Sequence, residues 1–227
     1  MNPGKAATPM SSADWNPNTH YQDQGVAARY DEVRFASLAG RVFNRLERET
    51  IVGAFSGLAT GARIADFPCG TGRLAEALLT SGYRVHGLDI SSEMLRVASE
   101  RLRRFAGAFT TEVLDARRVG EDHEMYDGLL CARVLMHFPL EEQISFLQGA
   151  ARLTRGPIVI NHSFSSGYQR FRRGIKRLLK HQNPARYPVT GDEINTLLRS
   201  CGLRETRRFR LNPVVSEAIY IVACPAL

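Results

Sequence analysis

The feature that most constrains this chain is a repeated alternation of short apolar runs with amphipathic stretches, each run ending in an acid or a turn residue. Arg63-Ile64-Ala65-Asp66-Phe67 reads as a buried strand, followed by Gly70-Thr71-Gly72 and a helix through Leu74, Ala75, Leu78 and Leu79 that stops at Gly82. Residues 83–88 read as a second strand stopping at Asp89, and Ser91 or Ser92 caps a helix carrying Met94, Leu95 and Ala98. Residues 109–113 form a third strand before Leu114-Asp115, and 126–134 hold a fourth. Pro139 suits the first turn of a helix with Glu141 and Glu142 near its positive end. Residues 157–161 are a fifth strand, and Thr190 and Glu193 have capping-box spacing ahead of Ile194, Leu197 and Leu198. Two strand-like runs, 204–211 and 214–222, meet through Asn212-Pro213 and must pair antiparallel. The pattern predicts an α/β fold: a seven-stranded, mostly parallel sheet with an antiparallel last strand and helices on both faces.

A chain of 227 residues suits one such domain, over 21–227. Residues 1–20 are polar and proline-bearing, lack the apolar core of a signal peptide, and read as a disordered lead-in. Residues 21–58 read as an N-terminal helical cap, with Leu38, Val42, Phe43, Leu46, Ile51, Val52 and Phe55 among the apolar positions at helical spacing. No apolar run approaches the roughly 20 residues that span a bilayer. The four cysteines show neither C-x-x-C nor zinc-ligand spacing and read as buried, reduced thiols of a cytoplasmic protein. The net charge of +7 is concentrated: residues 164–190 hold seven Lys/Arg and no acid. Phe171, Ile175, Leu178 and Leu179 interleave with those cations as a basic amphipathic helix. This insertion reads as a lid over an anionic or apolar substrate; a peripheral membrane contact through 168–182 and a plain solvated helix are the competing readings.

Ligands of open parallel sheets sit beyond the carboxyl ends of the strands. Strand-end residues are therefore the informative ones: Asp66, Gly70 and Gly72 after the first strand, Asp89 after the second, Asp115 after the third, His137 after the fourth and His162 after the fifth. Gly70 and Gly72 let a ligand approach the main chain, ahead of a helix whose free N–H groups suit an anionic group. Pro68 stands where a dinucleotide G-x-G-x-x-G begins, and no Lys-Ser/Thr follows Gly72 as in a P-loop. Asp89 is placed to accept ribose hydroxyls, and Asp115 to accept an exocyclic adenine amine. Together these residues predict an adenosine pocket.

Asp66-Phe67-Pro68-Cys69-Gly70-Thr71-Gly72-Arg73 resembles motif I of the class I S-adenosylmethionine-dependent methyltransferases. Gly87-Leu88-Asp89-Ile90-Ser91-Ser92-Glu93-Met94, Leu114-Asp115-Ala116 and Val134-Leu135-Met136-His137-Phe138 resemble the later strand-end signatures, and Tyr30-Asp31 with Arg34 the leader helix of members acting on quinone precursors and other small molecules. Pro68 departs from the usual glycine. The resemblance implies a Rossmann-like domain that binds S-adenosyl-L-methionine, leaves S-adenosyl-L-homocysteine, and methylates an O, N or C nucleophile of a small molecule of aromatic, quinone-like or anionic kind. It implies that Gly70 and Gly72 pack against the methionine portion and Asp66 holds its amino group. Asp89 takes the ribose, Ile90 and Met94 flank the adenine, and Asp115 with Ala116 lies at its N6. Cys131 and Arg133 line the methionine side, and Tyr21, Tyr30 and Arg34 cover the pocket. His137 and His162 are the candidate general bases, by position alone. No metal is expected. An RNA methyltransferase, a nicotinamide-dependent oxidoreductase and a non-catalytic cofactor-binding subunit are the rival readings. The charge favours the first, and the missing dinucleotide fingerprint weighs against the second.

Overall fold

The computed structural model describes residues 37–120, 122–165, 187–211 and 217–226. Tyr21, Tyr30, Arg34, the lead-in, most of the basic insertion and the Asn212-Pro213 connection lie outside the described residues. Helix α1 spans Leu38–Ala54, and Ser37 caps it by accepting from the Gly40 amide at 3.0 Å. There follow β1 (Arg63–Asp66), α2 (Arg73–Thr80), β2 (Arg84–Asp89), α3 (Ser92–Arg101), β3 (Phe109–Val113) and β4 (Gly128–Cys131). Then come α4 (Leu140–Ala151), β5 (Ile158–Ser163), α5 (Gly191–Ser200), β6 (Leu203–Arg210) and β7 (Ala218–Pro225). Single 3₁₀ turns occupy Ala116–Arg118 and Leu135–His137.

The seven strands form one sheet in the order β3-β2-β1-β4-β5-β7-β6, with β7 antiparallel to both its neighbours. The order reverses between β1 and β4, which is where a ligand crevice forms in such sheets. Alternation along each central strand sends successive side chains to opposite layers. Ala65, Leu129, Ile158 and Ile160 face one apolar layer with Leu147 of α4 and Leu197 of α5. Ile64, Leu130 and Val159 face the other, with Ile51 of α1, Leu78 of α2 and Ala98 of α3. Each fully buried aliphatic side chain in these layers contributes about 1.5–3 kcal/mol.

Local signals set the helix ends. Ser91 accepts from the Met94 amide at 3.2 Å, and Thr190 and Glu193 form a complete capping box. Two boundaries differ from the sequence expectation in a way that matters. β5 runs on to Ser163, because Asn161, His162 and Ser163 all pair with β7. His162 therefore lies inside a strand rather than beyond its end. β7 begins at Ala218, four residues later than the pattern predicts, with its apolar residues matched against β5.

Candidate active site

Register brings the strand-end acids to one edge of the sheet. Asp66 pairs with Gly87 of β2 and Leu130 of β4, while Asp89 pairs with Val113 of β3. The loop after β1 is pinned from both sides: the Phe67 amide donates to Leu130 O and the Cys69 amide to Leu88 O, each at 2.8 Å. Arg101, closing α3, donates to the Thr71 carbonyl and hydroxyl at 3.1 Å. The result is a cleft of about 320 Å³ lined by Asp66, Gly70, Asp89, Ile90, Met94, Asp115, Ala116, Arg133 and His137 from the expected set.

The two glycines of the loop play different parts. Both have positive φ, 55° at Gly70 and 73° at Gly72. A Cβ on Gly70 would meet nothing within 4 Å, consistent with its place on the cleft wall. A Cβ on Gly72 would sit 2.8 Å from Leu102 Cδ1 and 3.1 Å from Ala98 Cβ. Gly72 therefore does not line the cleft; it lets α2 start against α3, a packing role in place of the ligand contact expected of it.

Asp66 and Asp89 are both buried. One Asp66 oxygen, Oδ2, has no hydrogen-bond partner among the described residues, although it borders a cleft. Burial, with like-charge repulsion from Asp89, pushes Asp66 well above the usual carboxylate range, and the Arg73 guanidinium pulls it back. Asp89 Oδ2 accepts from the Gly70 amide at 2.8 Å and Oδ1 from the Ser91 amide at 2.9 Å. Burial raises Asp89 as well, and these backbone donors oppose it. Asp115 is gripped by a fork from Arg117, at 3.0 Å through Nε and 2.7 Å through Nη2, which holds it below the usual carboxylate range.

The turn carrying Asp115 and Ala116 sits on α4 through Gly149, where a Cβ would lie 1.9 Å from Ala116 O. Ile90 is one of the few exposed large apolar residues and, with buried Met94, offers an apolar face at that end of the cleft. Arg133, a non-glycine residue at φ 68°, also lines the wall, as does Arg73.

Two further expectations are corrected. Cys131 is fully buried in the apolar layer with Leu129 and Ile160, and its position inside β4 keeps it off the cleft wall; burial pushes its thiol up. His162 is 1% exposed and does not line the cleft. The Ser163 amide donates to its Nδ1 at 2.9 Å, which leaves the proton on Nε2 to donate to Gln143 Oε1, also at 2.9 Å. Gln143 Nε2 in turn donates to the Phe138 carbonyl at 2.8 Å. Burial lowers the His162 pKa to about 4. His162 is a neutral brace behind the turn that presents His137, not a group that reaches a substrate. Among the described residues no cluster of His, Cys, Asp and Glu could hold a metal ion, and no helix is long and apolar enough to cross a membrane.

Sequence reasoning missed Arg73, Leu114, Arg117, Phe138, Glu142 and Phe146 as cleft-lining residues. Phe138 and Phe146 stack with ring centroids 6.4 Å apart, and Phe146 also meets Phe67 at 5.4 Å. Their signal was a pair of phenylalanines, one just before α4 and one within it, which reads equally well as core.

Residues 64–156 match the family described as "Methyltransferase domain". The ubiquinone biosynthesis O-methyltransferase of Vibrio cholerae is 28% identical over 153 residues, which is 66% of this chain and 61% of that protein. The match thus spans about three-fifths of the relative's length. The magnesium-protoporphyrin O-methyltransferase of Synechocystis is 26% identical over 101 residues, 44% of each chain. The crystal structure of magnesium protoporphyrin IX methyltransferase from Synechocystis with bound SAH has the same fold, with a TM-score of 0.73 at 18% identity over 92% of this chain and 98% of that one.

Proposed function

We propose that this chain carries a class I S-adenosylmethionine-dependent methyltransferase domain and transfers a methyl group from S-adenosyl-L-methionine to an O, N or C nucleophile of a small molecule. The observation that carries the reading is one cleft whose wall holds a buried, half-satisfied carboxylate, Asp66, together with Asp89, Ile90, Met94 and Asp115. A buried oxygen without a donor is costly, and a docked ammonium removes that cost.

The residues present fit the group. Asp66 Oδ2 is free to accept from an α-ammonium, and Arg133 and Arg73 face an α-carboxylate. Each Asp89 oxygen keeps a lone pair for a ribose hydroxyl after its backbone bond. Ile90 and Met94 supply an apolar wall for adenine, and Asp115 an acceptor for its amine. S-adenosylmethionine, when bound, supplies a methyl group activated on a sulfonium sulfur. The protein's own contribution is mainly to hold the partners in line and exclude water, and positioning of that kind supplies a large part of such a rate enhancement. His137, on the turn that borders the cleft, accepts the proton that an attacking hydroxyl or amine sheds. Relatives named for ubiquinone and magnesium protoporphyrin support an aromatic or quinone-like acceptor.

Calorimetric titration tests the reading. S-adenosylhomocysteine should bind with one site per chain and more tightly than NAD. Asp89→Ala should weaken it about tenfold or more, since hydrogen bonds to a charged group are worth about 1.5–3 kcal/mol. Tighter binding of NAD, or an Asp89→Ala protein with unchanged affinity, overturns it.

A further inference from the structure

Behind the Asp66 end of the cleft lies a charged cluster that no strand-end pattern announces. Glu47, on α1, is fully buried. Its Oε2 accepts from Arg73 Nη2 at 2.5 Å, and its Oε1 accepts from Arg133 Nη1 at 2.9 Å and from the Tyr220 hydroxyl. Asn44, one turn earlier, accepts from Arg73 Nη1 at 2.6 Å. The Arg133 guanidinium lies 5.9 Å from the centre of the Phe43 ring. One helix thus anchors Arg73 and Arg133, two of the arginines that border the cleft, and β7 braces the anchor through Tyr220.

The cluster is not closed on itself. Arg133 holds a left-handed backbone that only surrounding contacts can enforce in a non-glycine residue. Its Nε–H is buried with no hydrogen-bond partner among the described residues. Arg73 and Arg133 both reach the Glu47 carboxylate, and Arg73 also acts on Asp66, so guanidinium and carboxylate stand side by side at the wall of the cleft. A carboxylate beside a guanidinium is a complement to a zwitterion, and the edge of Arg133 with a spare N–H matches a carboxylate in geometry as well as charge.

We propose that Glu47 is a positioning residue for the amino-acid portion of the methyl donor: it aims Arg73 and Arg133 so that the Asp66 end of the cleft reads an α-ammonium and α-carboxylate together. The proposal rests on the adenosyl reading of the cleft, and it adds a residue that never touches the ligand. Glu47 accepts from three donors, so a glutamine there puts an N–H₂ against at least one of them and releases an arginine from its aim.

Calorimetry on the full chain tests this with two probes, S-adenosylhomocysteine and 5′-methylthioadenosine, which keeps the nucleoside and sulfur but lacks the amino-acid portion. Glu47→Gln should weaken S-adenosylhomocysteine about tenfold or more, equal to about 1.4 kcal/mol. It should leave methylthioadenosine within about twofold of wild type, since the nucleoside end keeps all its groups. Unchanged or tighter S-adenosylhomocysteine binding overturns the proposal, as does a parallel loss of both probes, which marks a merely structural role. Should Glu47→Gln fail to fold, Arg133→Gln carries the same comparison and must show the same split. A wild-type protein that binds neither probe instead overturns the adenosyl reading on which the proposal stands.

Discussion

Acidification should destabilise this fold through His162. The folded state holds the imidazole neutral: the Ser163 amide occupies Nδ1 and Gln143 accepts from Nε2, with no water-facing edge left to solvate a second proton. Burial lowers its pKa from the ordinary 6.5 to about 4. Between those values the unfolded chain takes up a proton that the folded chain refuses, so stability is intact above pH 6.5 and declines as pH falls toward 4. One proton refused costs about 1.4 kcal/mol for each step of one in pH, so the loss is about 2 kcal/mol at pH 5 and about 3 kcal/mol at pH 4. Asp66 and Asp89 act in the opposite sense. Their folded values are raised, so each adds stability as pH falls through its raised value, and wild-type data alone mix the two effects. The assay is therefore a difference: urea denaturation from pH 7.5 to 4.5 for wild type and for His162→Gln, which cannot titrate. The variant should be less stable at pH 7.5 by about 1–3 kcal/mol, from the disturbed buried hydrogen bonds. Its stability should then hold up better toward low pH, so that the two curves converge. Parallel curves, or a His162 resonance that titrates near 6.5, would refute the assignment and return this residue to the candidate bases.

Three further outcomes follow from the site. His137→Ala should lower kcat by about 10²–10⁴-fold with S-adenosylhomocysteine affinity unchanged, and a near-wild-type rate would remove His137 as the base. Gly149→Ala puts a methyl group 1.9 Å from Ala116 O and should cost about 1–3 kcal/mol in thermal or urea unfolding, with weaker nucleoside binding as the Asp115 turn shifts. Asp66 is raised in the free protein, and an ammonium beside it favours the carboxylate, so S-adenosylhomocysteine binding should expel a proton and strengthen as pH climbs through the Asp66 range. Methylthioadenosine, with no amine, should lack that slope; equal slopes for the two ligands would contradict the Asp66 role.

The order of elements is legible in the chain because each strand is a short apolar run closed by an acid or glycine, and because parallel strands need a helix between them. The acids at 66, 89 and 115 are legible for the same reason: a strand end in such a sheet is a place in space as well as in sequence. What stays hidden depends on tertiary detail. His162 looks like a strand-end residue because the apolar run stops short of it; pairing with β7 carries the strand past it. Gly72 looks like a ligand contact because glycine spacing cannot distinguish approach by a ligand from approach by a helix, and Ala98 and Leu102 supply the helix. Cys131 is the last residue of β4 and turns into the apolar layer, while Ala132, Arg133 and Val134, past the strand end, line the cleft. Glu47 does leave a mark. It shares a helical face with Ile51 and Ala54, at spacings that bury all three, and a charge on an apolar stripe demands a buried partner. Which partners it finds, 26 and 86 residues away, no local pattern tells.

A crystal structure of the protein soaked with S-adenosylhomocysteine addresses the central assignment head-on. The ribose should rest on Asp89, the adenine between Ile90 and Met94 with its amine toward Asp115, and the amino-acid portion between Asp66 and Arg133. Density for the nucleoside elsewhere on the molecule, or a reversed ligand with its adenine toward Asp66, would contradict it.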